Sequence, residues 1–235
     1  MLRLGITGTD TGVGKTTVAC AILAMLRERG VTTAAMKPVE TGIADDDPLS
    51  DASRLRALAT VTHPIEVVRP YRFDQPLAPL VAAEAAARPI VLEELDRAFH
   101  ALRSSADVTL VEGAGGVLVP LSESVSVAGL FRRWSLDVII VAANRLGVLN
   151  HALLTERALR AAGCPVVGLV LADAEHGDAS AATNGEVLAR LTSVPLFRFP
   201  WVADPLDARA LAAAAIGARL DALVPNVLPS TALSR

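Results

Sequence analysis

Leu2-Arg3-Leu4-Gly5-Ile6-Thr7 runs straight into Gly8-Thr9-Asp10-Thr11-Gly12-Val13-Gly14-Lys15-Thr16-Thr17. A short apolar strand, a glycine-rich turn and a Gly-Lys-Thr opening an apolar helix follow one another without a break. Backbone N–H groups in such a turn, and at the start of the helix, face an anion. The lysine reaches terminal phosphates, and the threonine hydroxyl can sit on Mg²⁺. The order predicts a phosphate cradle in a chain that handles a nucleoside triphosphate. Its spacing is off register: the usual pattern puts a glycine where Thr9 stands, and Gly8 comes one residue early. A glycine-rich turn with an incidental lysine is the plainer reading. The flanking strand and helix favour the cradle. Val18, Ala19, Ile22, Leu23 and Leu26 recur at helical spacing after the loop, and Gly30 ends that segment.

Around this core the chain has 235 residues, which suits one compact α/β domain. It is 52% hydrophobic, much of it Ala, Leu and Val, as buried parallel strands under Ala-rich helices require. Aromatics are only 3%, which argues against a base-stacking surface for single strands. A net charge of −3 without a dense Lys/Arg run argues against a nucleic-acid footprint. Cys20 and Cys164 fall in separate apolar segments and read as buried reduced thiols. The N-terminus lacks the pattern of a leader, and no apolar run is long enough to span a bilayer. The expectation is a soluble cytoplasmic protein that acts on neither membrane nor nucleic acid.

Strands and helices alternate along the chain. Strands are expected at Thr33–Met36, Val108–Val111, Val138–Ala142, Val166–Leu171 and Leu196–Phe199. Helices are expected at Asp51–Ala59, Leu92–Leu102, about Asn150 to Ala162, and Glu186–Leu191. His63 to Pro79 carries Pro64, Pro70, Pro76 and Pro79 and reads as a loop-rich excursion. Residues 1–223 read as the domain, and 224–235 as a loose tail. Alternating β and α predicts a mainly parallel sheet with helices on both faces. Ligands of such sheets bind beyond the carboxyl ends of the strands. Gly8–Thr16, Lys37, Glu112 and Asn144–Asn150 all follow strand ends, so they should share one rim.

Candidate chemistry gathers on that rim. Glu112 ends an apolar strand, where a carboxylate can hold Mg²⁺ directly or through water. Gly113-Ala114-Gly115-Gly116 then lets backbone approach a ligand. Asp51 at a helix start serves equally well as a cap or as a metal carboxylate, since Ser50 could cap instead. Asp45-Asp46-Asp47 reads as a solvated loop. Lys37, before a proline at a strand end, is either a surface lysine or a second cation for phosphoryl oxygens or an anionic substrate. Thr41-Gly42 lies within reach. His63, His100, His151 and His176 share no metal-ligand spacing, and no nucleophile–base constellation is legible.

Together these stretches resemble the ATP-dependent dethiobiotin synthetases. The resemblance is carried by Gly8–Thr16, Lys37-Pro38-Val39 with Thr41-Gly42, and Val111–Gly116 with Pro120-Leu121. Leu146-Gly147-Val148-Leu149-Asn150-His151-Ala152 and Pro200-Trp201 complete it. The family's own loop has the same irregular glycine spacing. The resemblance implies a single-domain P-loop NTPase fold and a ligase that closes a cyclic urea in biotin biosynthesis. Its substrates would be 7,8-diaminononanoate, CO₂ and a nucleoside triphosphate, ATP by default. Lys15 and Lys37 would be catalytic. Gly12, Val13, Gly14, Lys15, Thr16 and Thr17 would hold phosphates, with Asp51, Glu112, Gly113, Ala114 and Gly115 beside them. Thr16, Asp51 and Glu112 would hold Mg²⁺, which decides between the two readings of Asp51. Ala172, Asp173, Pro200, Trp201, Val202 and Asp207 fall in the base and ribose region. Thr11, Lys37, Thr41 and the Gly147, Val148, Leu149, Asn150 segment would meet the substrate. In the family that segment comes from the neighbouring subunit, which implies a homodimer.

Two departures stand out. Many members carry Glu where this chain has Gly12, and many carry an adenine-reading Asn where it has Ala172. The second predicts relaxed choice of nucleotide. Other readings remain open on pattern. A partition-type ATPase would carry its signature lysine where this chain has Asp10. A corrinoid amidoligase would add a glutaminase domain. A nucleotide-binding regulator needs no further motif.

Overall fold

The computed structural model describes residues 1–44, 47–225 and 227. Asp45 and Asp46 of the expected solvated loop, and 226 and 228–235 of the expected tail, lie outside them. Val224 is fully buried against the core, so the chain is anchored at least that far.

Six parallel strands form the central sheet. They are β1 (Leu2–Gly8), β2 (Thr33–Met36), β5 (Val108–Gly116), β6 (Asp137–Ala143), β7 (Val166–Ala172) and β8 (Leu196–Phe199), in spatial order β2-β5-β1-β6-β7-β8. Their period-2 alternation is what makes two cores. Ile139 and Val141 face one side, with Leu4, Ile6, Val108 and Leu110. Val138, Ile140 and Ala142 face the other, with Val111 and Leu169. The first core is covered by α1 (Lys15–Glu28), α2 (Asp51–Leu58) and α9 (Ala208–Gly217). The second is covered by α4 (Pro79–Ala85), α5 (Leu92–Arg103), α6 (Val127–Arg133), α7 (Val148–Ala161) and α8 (Asn184–Leu191). Every residue of α1 from Val18 to Leu26 is buried, because sheet, α2 and α9 enclose the helix on several sides. That explains its nearly unbroken apolar sequence.

The His63–Pro79 excursion is not loop throughout. It holds α3 (Ile65–Val68) and β4 (Tyr71–Phe73), and β4 pairs in parallel with β3 (Val39–Thr41) as a small second sheet. Prolines confine these elements to a few residues but do not abolish them. Tyr71 and Phe73 are both buried and stacked, with centroids 6.3 Å apart, which gives the ribbon its anchor. β5 also runs further than its apolar stretch suggests, through Gly116, since Gly8 and Gly116 continue the pairing of the two backbones. α7 begins at Val148 rather than near Asn150.

Candidate functional site

The turn between β1 and α1 is built around two glycines. Gly14 adopts φ 95°, a left-handed conformation at the N-terminus of α1, and no side chain caps that end. The first helical bond, Val18 N to Gly14 O at 3.0 Å, leaves the N–H groups of Lys15, Thr16 and Thr17 at the helix start for an anion, whereas Thr9 N and Thr11 N are already bonded to Val141 O and Asp10 Oδ1. At Gly8 a Cβ would lie 2.7 Å from Asp10 O, 2.8 Å from Val13 Cγ2 and 3.0 Å from Lys15 Nζ. The glycine is therefore required where it stands, and the off-register spacing is a packing requirement of this loop. Lys15 Nζ donates to Asp10 O at 2.9 Å across the turn.

Four side chains meet beside it, from α1, α2, β5 and the connection after β2. Thr16 Oγ1 lies 2.8 Å from Asp51 Oδ1 and 2.9 Å from Glu112 Oε1. Lys37 Nζ donates to Asp51 Oδ2 at 2.7 Å and to Glu112 Oε1 at 2.6 Å. A hydroxyl has one proton, so Thr16 can donate to only one of the two carboxylates at a time. Glu112 is fully buried, and its Oε2 has no hydrogen-bond partner. Acceptors therefore outnumber donors. One hydroxyl and two carboxylates are hard oxygen ligands, the set a small divalent cation takes. This donor set and its orphaned oxygen fit such an ion.

Burial and charge set the protonation of the cluster. Burial disfavours the Lys37 ammonium, but Glu112 and Asp51 outweigh that and hold its pKa above the ordinary lysine value. Burial pushes the Glu112 carboxyl up, and Lys37 only partly offsets it. Asp51 is also disfavoured by burial, yet its bond to Lys37 keeps its carboxyl below the usual range. Lys15 is lowered by burial and by repulsion from Lys37.

The supports of this cluster were not legible in the sequence. Asp51 is first in α2, and Ser50 caps the helix by accepting from Ser53 N. The cap thus falls to Ser50, and the Asp51 carboxylate faces Thr16 and Lys37 instead. Buried Glu40 accepts from Asp51 N at 2.6 Å and receives Arg69 Nη1 at 3.2 Å. Arg69 also donates to Ser50 Oγ at 3.3 Å. These residues aim the helix that carries Asp51. Lys37 N donates to Val68 O at 2.8 Å, so the proline-rich excursion holds the lysine's backbone. Only the nearness of Glu40 to the Lys37-Pro38 stretch could have signalled any of this.

A cleft of about 700 Å³ opens over the cluster. It gathers Thr11, Gly12, Gly14, Lys15, Thr16 and Thr17 from the turn, then Lys37, Thr41 and Asp51, then Ala114 and Gly115. Pro76, Leu77, Ala78 and Pro79 wall one side. Val13 is buried beneath the turn, and buried Gly113 packs toward Val127 and Phe131. Ala172 ends β7 close to the turn, with its Cβ 3.4 Å from where a Gly14 Cβ would stand. Asp173 is engaged by Asn144 Nδ2 and Arg198 Nε, each at 2.7 Å. Pro200 and Trp201 are exposed beyond β8 and Val202 is buried, while Asp207 caps α9. Gly147, Val148, Leu149 and Asn150 do not line this cleft. They form the N-terminus of α7, where Gly147 adopts φ 95° and Asn150 is exposed.

Cys20 and Cys164 are free and buried, and burial pushes the Cys20 thiol up to about 12. Among the described residues, no group of three or more His, Cys, Asp or Glu could hold a metal, and no helix is long and apolar enough to cross a membrane.

Comparison with known proteins agrees with this geometry. A family profile described as an AAA domain matches residues 3–204. An ATP-dependent dethiobiotin synthetase BioD from Anaeromyxobacter sp. (strain Fw109-5) is 44% identical over 206 residues, 87% of this chain and 92% of the relative. The protein of that name from Aquifex aeolicus (strain VF5) is 37% identical, over 88% of this chain and 94% of its own length. That from Bacillus subtilis (strain 168) is 34% identical, over 81% and 83%. The cradle, the carboxylate pair and the lysine between them lie within the residues 3–204 that the profile matches, and the chain belongs to the ATP-dependent dethiobiotin synthetase family.

Proposed function

We propose that the cleft closes the ureido ring of dethiobiotin from 7,8-diaminononanoate, CO₂ and a nucleoside triphosphate, as a step of biotin biosynthesis. The observation that carries this reading is the convergence of Lys37, Asp51 and Glu112 on Thr16, directly beside the cradle. A fixed cation and hard oxygen ligands beside the cradle support a γ-phosphate and a divalent ion bound there.

One amine of the substrate takes up CO₂ and loses a proton, giving a carbamate. A carbamate oxygen attacks the γ-phosphorus, the bond to the β-phosphate oxygen breaks, and the nucleoside diphosphate leaves. The neighbouring amine then attacks the carbamoyl carbon of the mixed anhydride, loses its proton, and expels phosphate. Such transfer needs position and charge more than covalent help from the protein. Lys15 would hold the β- and γ-phosphates. Lys37, already cationic and immobilised, would hold the carbamate against the transferring group. Thr16, Asp51 and Glu112 would hold Mg²⁺, which neutralises charge on the phosphates. Thr11 and Thr41 would contact the substrate, and the α7 N-terminus of a second subunit would take its carboxylate. The reading implies a homodimer, and a protein acting in the cytoplasm.

At the base side, Ala172 offers only a methyl group, and Asp173 is held by Asn144 and Arg198. Pro200, Trp201, Val202 and Asp207 would border the base and ribose. ATP is therefore joined by CTP and GTP as co-substrates. The test is phosphate release on mixing the protein with diaminononanoate, bicarbonate and Mg²⁺, with each triphosphate at sub-saturating concentration. Release that depends on diaminononanoate and is removed by EDTA is expected. No release above background would overturn the synthetase reading, and a strong preference for ATP would overturn the relaxed choice of base.

A further inference from the structure

Arg54 is one helical turn beyond Asp51 on α2, on the same face of that helix. It lines the cleft with Asp51. Its Nη2 donates to Pro205 O at 3.1 Å, across 151 positions of sequence. Pro205 lies in the 200–207 connection between β8 and α9. Among the described residues no other hydrogen bond joins α2 to that connection. The Nε of Arg54 is buried and has no partner.

We propose that Arg54 is a positioning residue for the nucleotide: it clasps the base-side loop to the helix that carries the metal carboxylate. This rests on the nucleotide reading of the cleft given above. A planar guanidinium loses little freedom on making such a bond, and it fixes a carbonyl better than a flexible ammonium would. The loop it holds has few anchors of its own. Trp201 is 51% exposed, and the turn at 204–207 closes mainly on itself, through Leu206 N and Asp207 N to Asp204. Ordering that loop before the nucleotide arrives removes part of the entropy cost of binding. Arg54 acts through the loop, because the one nitrogen with a bonded partner is spent on Pro205 O. Its effect therefore falls on the nucleoside end of the ligand and spares the phosphates.

The probes are ATP and inorganic tripolyphosphate, each titrated into the Mg²⁺-loaded protein without the diamine substrate. In Arg54→Met the Kd for ATP rises about tenfold, the scale of one hydrogen bond from a charged group. The Kd for tripolyphosphate stays unchanged. Trp201 supplies a second readout without any ligand. The other tryptophan, Trp134, is buried and stacked on Phe99 at 4.4 Å, so it gives a constant background. Acrylamide quenching rises in Arg54→Met as the loop loosens, and Arg54→Lys falls between it and the parent. Near-ultraviolet dichroism of Trp134 checks that both variants fold. Equal weakening of ATP and tripolyphosphate would make Arg54 a phosphate contact and overturn the clasp. So would unchanged ATP affinity and quenching in Arg54→Met. Loss of ATP binding in the parent would remove the nucleotide reading itself. Absence of ring closure removes only the synthetase reading, since these titrations contain no diamine.

Discussion

Lys37 is the residue at which the site's charges balance. Its ammonium touches both carboxylates of a cluster that is otherwise short of donors, and it stays protonated because they face it. A cation fixed in this way needs no reorganisation when charge develops nearby. Lys37→Ala should lower turnover by on the order of 10²–10³, the cost of losing one preorganised stabiliser. Nucleotide affinity, set by the turn and Lys15, should be unchanged. The variant should also melt at a lower temperature, because buried Glu112 keeps its desolvation cost and loses its partner. Steady-state phosphate release and calorimetric titration with ATP separate the two effects. Turnover equal to the parent would remove Lys37 from the reaction. Most of this residue-scale picture was legible in sequence, since Lys15, Thr16, Lys37 and Glu112 each follow an apolar run that predicts a strand end. Glu40, Arg69 and Arg54 were not legible. Their partners are remote in the chain, and no local pattern marks a polar side chain that acts by orienting another.

At the scale of elements, β2 and β8 were readable to the residue, because short apolar runs bounded by Pro, Gly or polar residues have sharp ends. The β3–β4 ribbon was hidden, since three-residue strands have no periodicity to detect and prolines surround β4. α6 and α9 also escaped notice. α9 is Ala-rich on every side, and its burial comes from packing on α1. Beside the Phe99–Trp134 stack, an ion pair also links α5 to α6 and gives a test by pH. Arg133 Nε donates to both oxygens of Asp96 at 3.0 Å, and Trp134 Nε1 donates to Asp96 Oδ1 at 2.8 Å. Chiefly through the Arg133 bonds, the Asp96 carboxyl is held below its ordinary value of 3.8. A depressed carboxyl adds stability above the unfolded-state value and loses it as pH falls through the folded-state value. Asp96→Asn should therefore lower the melting temperature at neutral pH. That deficit should shrink as pH falls below 3.8. A deficit of constant size across that range would show that the side chain packs but does not pair.

At the scale of the whole molecule, the proposed reaction needs more than the cleft of one chain. The Gly147–Asn150 segment sits on the same rim as the cradle, yet it lies outside the cleft. Its own chain holds it outward: Asp178 Oδ2 accepts from Leu146 N at 2.7 Å, and Asn184 Nδ2 binds Asn144 Oδ1 at 3.0 Å and Arg145 O at 3.4 Å. Leu146 is 82% exposed beside it, and Leu154, about one turn beyond Asn150 on α7, is 55% exposed. A rigid helix N-terminus flanked by bare leucines suits a site completed by a second copy. Sharing of this kind has a distinctive signature in mixed dimers. Lys37→Ala disables the site that its own chain carries. Asn150→Asp sets a negative charge against the substrate carboxylate in the partner's site. Each homodimer should be inactive. Unfolded together and refolded at equal concentration, half of the dimers should be mixed, and each mixed dimer has one site with both residues intact. Activity should return to about a quarter of the parent value, as expected for a two-fold interface. If the two residues served one site within one chain, no mixture of the variants could restore an intact site, and activity would stay at the level of the separate homodimers.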